Sequence, residues 1–310
     1  MNKYIVAICC MLIIINNNVT AQCTCSAGSG SSSFNDNMLL ASYTQQYKWR
    51  ITLGSTTNWF TPIVMAHSVN GLTHHHEMEG INLASTQSLA IAYKVAQLNE
   101  WSINLPYTLV TTNKSNSYNG LNDVQLWYNR LMQLHNLQLK LGLGVELPAN
   151  LTPTVVGSQV VLSSASTDPM ASISASYMSN KWLVKLNTMA KYTTYNTQDY
   201  NLGSYSTQSI MLGYKFNKNT NYNLPIDSVK TKTNWLALAG VNNDYFSKQK
   251  LLNTTVANTG GNMLLGNIGI SMLRNYYSLS IQGVYPLYQK WTGNQQRIAK
   301  SIKLTLSINF

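Results

Sequence analysis

Residues 302–310 read Ile302-Lys303-Leu304-Thr305-Leu306-Ser307-Ile308-Asn309-Phe310, with an apolar side chain at every even position and a polar one at every odd position. Successive side chains of a β-strand point to opposite faces, so this stretch predicts a strand with one apolar and one polar face. The same alternation recurs along nearly the whole chain. A closed antiparallel sheet, with lipid against its outside and water against its inside, is the simplest structure that needs such a pattern.

The first 21 residues have the three parts of a secretory signal peptide. Lys3 provides a basic start, residues 4–15 form an apolar run, and Val19-Thr20-Ala21 places small residues at the −3 and −1 positions of a cleavage site. A membrane-spanning helix would need about 20 apolar residues, and Asn16-Asn17-Asn18 ends the run well before that. We therefore expect cleavage after Ala21 and export of the mature chain.

The composition is unusual for a soluble protein. Charged residues make up only 10% of the chain, whereas soluble domains carry about 25%. Neutral polar residues and 19 tyrosines take their place, which suits a barrel interior and its loops. The formal net charge is +11, but the Lys and Arg residues are scattered rather than clustered. Nucleic-acid binding is therefore not expected, whereas attraction to anionic lipid is.

The pattern divides the chain into three parts. We expect a signal peptide at 1–21, a flexible segment rich in Cys, Gly and Ser at 22–44, and an all-β transmembrane antiparallel β-barrel of the outer-membrane type at 45–310. Each predicted strand is long enough to span a bilayer when tilted. The twelve predicted strands are 45–54, 85–96, 100–111, 123–134, 137–147, 171–179, 181–192, 203–216, 234–243, 263–273, 276–287 and 299–310.

The connections alternate in length, as expected if long outer loops alternate with short inner turns. The exception is 217–233, which is long where a short turn is due. Either this inner connection is extended or a strand is missed there. The strand that follows it is the least regular, because Leu236 and Leu238 oppose Trp235 in phase.

A soluble β-sandwich would also alternate, and it is the main alternative for the fold. Sandwiches rarely need a dozen strands of this length, and their apolar faces meet in a single core. In a bilayer, aromatic side chains instead collect near the strand ends, at the level of the lipid head groups. The aromatic residues near predicted strand ends favour the barrel; they are Trp101, Trp127, Tyr177, Trp182, Tyr192, Phe216, Trp235, Tyr276, Tyr285 and Phe310.

Three motifs point to a known family. They are Glu100-Trp101-Ser102-Ile103-Asn104-Leu105-Pro106-Tyr107, Gly120-Leu121-Asn122-Asp123-Val124 and Gly142-Leu143-Gly144-Val145-Glu146-Leu147-Pro148. Together they resemble the outer-membrane barrels described as "transporter" or "meta-pathway of phenol degradation" proteins, and Bacteroidota members in particular. Members usually continue the Leu-Pro pair with Thr-Gly, where this chain has Ala149-Asn150. The resemblance implies an outer-membrane channel for small hydrophobic compounds.

Four of the five histidines lie within ten positions, in the first predicted outer loop. Imidazole and carboxylate groups at this density can bind a borderline divalent ion such as zinc, copper or nickel. The alternative is a solvated loop that binds nothing specific. The candidate metal ligands are His67, His74, His75, His76, Glu77 and Glu79.

A second candidate metal site is the pair Cys23 and Cys25. A disulfide between residues two apart would be strained, so the pair could instead present two thiolates to a soft ion such as Cu(I). A nonfunctional or intermolecular pair is the alternative. Because the N-terminus is expected inside and the first loop outside, the two sites suggest a relay of copper or zinc through the barrel.

The sequence does not predict an enzyme. Some outer-membrane barrels are hydrolases built from Ser, His and acidic groups, but the only histidine outside the first loop is His135, at a predicted inner turn. Asp123 and Glu146 have polar phase on neighbouring strands. We expect them to be tied to Lys140 or Arg130 rather than to act as an acid and a base.

The polar phase of the strands predicts which side chains face the interior. Side chains, an inward-folded loop or the N-terminal segment can largely fill a barrel of about twelve strands. Two functions therefore remain: a channel that passes or binds a small solute, either a metal ion or a small hydrophobic compound, and a plugged barrel that acts as a surface binding protein. The predicted interior residues are Gln125, Trp127, Asn129, Gln138, Lys140, Glu146, Lys185, Asn187, Lys303 and Thr305.

The expected location is the outer membrane of a Gram-negative, diderm bacterium. Its expected partners are outer-membrane lipid, the small-molecule or metal solute, and the barrel-assembly machinery, which would recognise the terminal aromatic Phe310.

Overall fold

The computed structural model is all-β. It describes residues 48–61, 64–69, 72–77, 80–96, 98–114, 116–134, 136–150, 154–156, 160–179, 181–216, 233–257, 259–274, 276–292 and 295–310. Over these ranges, no helix is long and apolar enough to cross a membrane.

Twelve long strands form the main sheet, and we number them in chain order. They are β1 (Trp49–Phe60), β2 (Ile81–Ala96), β3 (Asn99–Thr112), β4 (Val124–Leu134), β5 (Leu137–Leu147), β6 (Asp168–Met178), β7 (Trp182–Lys191), β8 (Tyr205–Lys215), β9 (Asn234–Phe246), β10 (Gly261–Arg274), β11 (Tyr277–Trp291) and β12 (Ile298–Asn309). All twelve overlap the predicted strands.

The sheet closes on itself. Each strand pairs antiparallel with the next one, and β1 pairs both with β2 and with β12, where Arg50 lies opposite Asn309. The short strand Ser117–Leu121 extends β4 along β3, so that the two pieces together occupy one position in the barrel. The predicted fold, a closed antiparallel barrel of twelve strands, is confirmed.

Apart from the connection between β8 and β9, which joins its strands at the same end as the short turns, the long connections and the short ones lie at opposite ends of the barrel. We call these the loop end and the turn end. Trp49 and Phe310 meet at the turn end, where the amides of Lys48 and Trp49 both donate to the Phe310 carbonyl, at 2.9 and 3.1 Å. The connections also contain short strands: Val64–Val69, Leu72–Glu77, Thr154–Val156, Val160–Ser163, Tyr200–Asn201, Lys250–Leu251 and Thr254–Thr255.

The alternating polar and apolar residues of the strands face the interior and the outer surface of the barrel, respectively. On β12, Lys303, Thr305 and Ser307 are buried in the interior, whereas Ile302 and Leu304 are each 45% exposed on the outer surface. Exposed apolar side chains recur on the outer face of the other strands. A continuous apolar outer surface of this kind suits hydrocarbon and would be unfavourable in water.

Residues 217–232 lie outside the described ranges, but the strands on either side of them settle the strand count. β8 and β9 pair directly with each other, from Tyr205 opposite Phe246 to Lys215 opposite Leu236. No barrel strand can therefore lie between them. The irregular phase of β9 has a physical cause: Leu236 and Leu238 face the interior and pack there against other apolar side chains.

Exposed aromatic rings form a belt at the turn end. The tilted rings of Trp49 and Tyr93 are in contact with their centroids 4.4 Å apart, and those of Trp101 and Tyr128 are 5.1 Å apart. Aromatic side chains of this kind favour the boundary between lipid and water, because the ring is apolar and its N–H or O–H group is polar. The belt therefore marks one edge of the apolar surface.

Candidate solute pathway in the barrel interior

A cluster of charged side chains lies on the interior wall near the turn end. Glu100 of β3 accepts from Arg50 of β1 at 3.1 Å and from Lys140 of β5 at 3.0 Å. All three side chains are buried. Since an unpaired charge in such a place would be costly, the pairing compensates the burial of all three charges.

A second charged group lies on the same wall, closer to the loop end. Lys191 of β7 donates to Glu146 of β5 at 2.6 Å and lies 3.9 Å from an oxygen of Asp168. Glu146 also accepts from the Gln125 amide at 2.8 Å, and Gln125 in turn accepts from Asn104 at 3.3 Å. We call the two groups together the charged wall; it consists of Arg50, Asn104, Glu100, Gln125, Lys140, Glu146, Asp168 and Lys191.

Trp127 lies flat against this wall because β5 has glycines beneath it. A Cβ added to Gly144 would lie 2.7 Å from two atoms of the indole ring and 2.8 Å from the Leu126 carbonyl oxygen. The strand can therefore accommodate the ring only without a side chain at this position. The sequence placed Trp127 both among the aromatic residues near strand ends and among the predicted interior residues. In the structure it is 2% exposed and belongs to the interior.

An apolar layer crosses the interior toward the loop end. Its buried side chains touch one another and come from every barrel strand except β5, together with Leu162 of the connection between β5 and β6. Such a layer gives the interior near this end an apolar rather than a polar lining. We call it the loop-end apolar layer; it consists of Phe60, Ile81, Ala84, Ala90, Val110, Trp127, Leu162, Met170, Met189, Tyr205, Phe246, Met263, Leu265, Val284 and Ile298.

A smaller apolar cluster lies near the turn end, on the side of the barrel formed by β6 to β10. We call it the turn-end apolar cluster; it consists of Leu183, Met211, Leu236, Leu238 and Leu273, with Met178 packed against it. Solute that traverses this side of the barrel would thus meet apolar surface at both ends.

Buried carboxamides without hydrogen-bond partners lie between the two apolar regions. The side-chain oxygens of Asn187, Asn242 and Gln282 have no partner, and neither the oxygen nor the nitrogen of Asn267 has one. All four residues are at most 7% exposed. An unsatisfied buried polar group costs about 1–3 kcal/mol, so four of them on one wall need an explanation.

Asp123 anchors the connection between β5 and β6 to the barrel. One carboxylate oxygen accepts from the Ala149 amide at 3.0 Å and the Ser163 hydroxyl at 2.7 Å, and the other accepts from the Ser164 amide at 2.8 Å. These bonds fix the connection next to Leu162, and the Leu162 side chain belongs to the loop-end apolar layer. Asp123 thus helps to keep Leu162 in that layer.

The structure places nine of the ten predicted interior residues among the buried ones and leaves Gln138 partly exposed. The expected pairing of Asp123 and Glu146 with Lys140 or Arg130 is wrong. Asp123 holds a loop, Glu146 pairs with Lys191, and Lys140 pairs with Glu100. Register decides the last pair: β3 and β5 both pair with β4, and their registers bring Glu100 and Lys140 within contact across that strand.

Sequence reasoning missed several interior residues. Glu100 has the same phase as the polar residues of β3 and opposite phase to Trp101, so the alternation alone could have identified it. Arg50 and Lys191 lie close to strand ends, where the alternation gives a weak signal. Asn242, Asn267 and Gln282 also have interior phase, but nothing in the sequence indicates that their amides lack partners.

The predicted metal ligands fall partly outside the described residues. Cys23, Cys25 and Glu79 lie outside them, whereas the strands Val64–Val69 and Leu72–Glu77 form a hairpin. In its register, His67 lies opposite His74, His75 opposite Ala66, His76 opposite Met65 and Glu77 opposite Val64. Within the described part of the chain, no group of three or more His, Cys, Asp or Glu side chains is placed to hold a metal ion.

No protein-family model matches the chain, and no curated protein matches it in sequence. The likeness to the Bacteroidota family therefore stays a prediction. Solved structures do match. The COG4313 outer membrane channel from Pseudomonas putida F1 superimposes with a TM-score of 0.61 at 13% identity, over 85% of this chain and 96% of that one.

Two further structures are similar over most of their length. The translocator domain of autotransporter NalP from Neisseria meningitidis has a TM-score of 0.44 at 12% identity, over 92% of this chain and 97% of that one. The CymD monoaromatic hydrocarbon channel has a TM-score of 0.39 at 10% identity, over 95% and 98%. At 13% identity, the match to the Pseudomonas putida channel shows the fold alone, an outer-membrane type of β-barrel, and leaves function to be argued from the interior.

Proposed function

We propose that this protein is an outer-membrane channel that passes or binds a small solute with substantial apolar surface. The loop-end apolar layer is the main support for the proposal. A hydrated ion would have to shed water to cross a layer of touching Phe, Ile, Leu, Met and Val side chains, whereas an apolar molecule would not. Between this layer and the turn end, the interior has the charged wall on one side and apolar surface on the other. A molecule with one polar group could therefore place that group against polar side chains and its apolar body against apolar ones.

The membrane location belongs to the same proposal. It is supported by the exposed apolar outer surface, by the aromatic belt at the turn end, and by the fold shared with the Pseudomonas putida channel. We further propose that the turn end faces the periplasm and that Phe310, which is 59% exposed, is the group presented to the barrel-assembly machinery.

The plugged barrel is the second candidate. The same apolar layer supports it, since a layer that never opened would leave only the loops to bind ligands. The two candidate functions differ in one expectation: if the protein is a channel, removing side chains from the layer should widen a path through the barrel, and if the barrel is plugged it should not.

Conductance across a planar bilayer separates the two candidates. We expect small, discrete currents from the intact protein and larger ones from the Leu265→Ala/Val284→Ala variant, because both side chains belong to the layer. Leu304→Ala, on the outer face of the same sheet, is the control and should leave the currents unchanged. Silence from all three proteins would favour the plugged barrel.

Metal transport remains a narrower proposal, supported by the density of histidines in the hairpin and by the register that sets His67 opposite His74. The test is to record the same currents with and without Cu²⁺ or Zn²⁺, on the intact protein and on a His74→Ala/His75→Ala/His76→Ala variant. If the metal changes the current of the intact protein alone, the hairpin binds it. Identical currents in all four recordings would remove metal from the list of solutes.

A further inference from the structure

The four carboxamides without partners lie in a row across neighbouring strands. Ser209 of β8 lies opposite both Asn187 of β7 and Asn242 of β9. Asn242 lies opposite Leu265, two positions from Asn267 along β10. Facing side chains in a sheet have Cβ atoms about 4.5–5.5 Å apart, and diagonal ones about 7–8 Å. Asn242 and Asn267 are therefore diagonal neighbours that can contact one small molecule together, and Asn187 lies one strand further along the same row, beyond Ser209.

The row continues onto the next strands. Asn267 lies opposite Val284, two positions from Gln282 along β11, and Gln282 lies opposite Lys303 of β12. We call Asn187, Asn242, Asn267 and Gln282 the carboxamide row. It crosses the middle of β7, β9, β10 and β11, with the loop-end apolar layer on one side and the turn-end apolar cluster on the other.

The atoms without partners are mostly acceptors. Four amide oxygens and one amide nitrogen lack a hydrogen bond. Native proteins rarely leave such groups buried and unpaired, so each of them calls for a partner. A ligand that satisfied this row would have to donate more hydrogen bonds than it accepts.

We infer that the carboxamide row is a binding site for a small amphipathic molecule whose polar head donates hydrogen bonds, such as a diol, and whose body is apolar. The head would donate to the amide oxygens, while the body would pack against Leu265 and Val284 above or Leu236 and Leu238 below. This inference rests on the proposed passage of small solutes and names the chemistry of one class of them.

The test is a ligand-observed NMR titration of the full-length protein folded in detergent. The probes are 1,2-hexanediol, which carries two donors, and hexanoate, which has the same chain length and an acceptor head that Lys303 would attract. We expect the diol to bind at least tenfold more tightly than hexanoate. Equal binding of the two, tighter binding of hexanoate, or no binding of the diol would overturn the inference.

Variants locate the binding. Asn267→Leu replaces the carboxamide that has two unpaired atoms with a side chain of similar size, and we expect it to weaken diol binding at least tenfold; Gln282→Met should weaken it as well. Asn129→Leu is the matched control, since Asn129 is equally buried and also has an unpaired oxygen, but lies on β4, away from the row. A control that loses as much affinity as Asn267→Leu would show that the row is not the site.

Two further measurements keep the outcomes distinct. Heat-modifiable migration on a gel confirms that each variant is folded, and if Asn267→Leu fails this check, Gln282→Met carries the test. Bilayer currents, recorded separately, report on the channel. A protein that conducts but ignores the diol contradicts the binding site alone, whereas one that binds the diol but never conducts contradicts the channel alone.

Discussion

The charged wall and the carboxamide row are both polar surfaces inside the same barrel, yet their groups are satisfied to different degrees. On the charged wall, Glu100 bonds to Arg50 and Lys140, and Glu146 bonds to Lys191 and Gln125. In the row, amide oxygens lie buried with no partner. On the charged wall, the buried atoms without a hydrogen bond are Asn104 Oδ1 and Asp168 Oδ2, whereas every residue of the row has such an atom. The ion pairs of the charged wall therefore mainly stabilise the barrel, while the row has hydrogen-bonding capacity left for another molecule.

The largest expected effect comes from breaking the charged wall. Glu100→Gln would leave Arg50 and Lys140 buried beside a neutral group, and we expect it to lower the free energy of unfolding by about 3–5 kcal/mol. Urea unfolding of the barrel folded in lipid vesicles measures this. Asp199→Asn makes the same chemical change at an exposed loop position and should have no measurable effect. If the two variants were equally stable, the charged wall would not have the structural role given to it.

The next largest effect on stability is expected on the outer face of β10, which is compared with the interior face of the same strand. Ile268 is 71% exposed in the middle of the strand, next to Asn267 but pointing outward. Ile268→Arg should cost about 2–4 kcal/mol if this surface meets hydrocarbon. Leu252→Arg, at a loop position that is 66% exposed, should cost close to nothing. A neutral Ile268→Arg, measured by the same urea titration, would mean that water rather than lipid covers β10.

A smaller effect is expected where Trp127 rests on β5. Gly144→Ala places a Cβ 2.7 Å from the indole and 2.8 Å from a backbone oxygen, so the ring must move, at a cost of about 1–3 kcal/mol. The matched control is Gly283→Ala, where the nearest atom to the new Cβ is 4.0 Å away. We expect a change in tryptophan fluorescence together with lower stability for Gly144→Ala. An unchanged spectrum would show that the ring does not depend on this glycine.

The smallest changes in stability are expected from removing one amide from the charged wall and one from the carboxamide row. Asn104→Leu removes the donor to Gln125, and leaving that group unsatisfied should cost about 1–3 kcal/mol. Asn242→Leu removes an amide whose oxygen has no partner, so it should change stability by less than about 1 kcal/mol or raise it. The urea midpoints of the two variants, each compared with the intact protein, provide the measurement. A larger loss for Asn242→Leu than for Asn104→Leu would reverse the contrast between the surfaces.

The fold could be predicted from the sequence because it depends on a local code. In β12, each step from Ile302 to Asn309 shows which face a side chain occupies, and the same code identified eleven other strands. The alternation of polar and apolar residues did not identify which interior side chains pair with each other. Glu146 and Lys191 are 45 residues apart, and only strand register brings them together. Whether an interior amide is satisfied depends on the same register, so the difference between Gln125 and Asn267 could not be predicted from alternation.

The seam between β1 and β12 has a consequence for how the protein is made. Thr52 and Ser307, whose hydroxyl groups hydrogen bond across the seam, are 255 residues apart. Contacts of such long range form slowly, because the loop entropy must be lost before the contact stabilises anything. Until the last strand has been synthesised, β1 has an unpaired edge that could aggregate. The polypeptide must therefore be protected from aggregation until β12 is available, because only the pairing of that strand with β1 completes the cylinder.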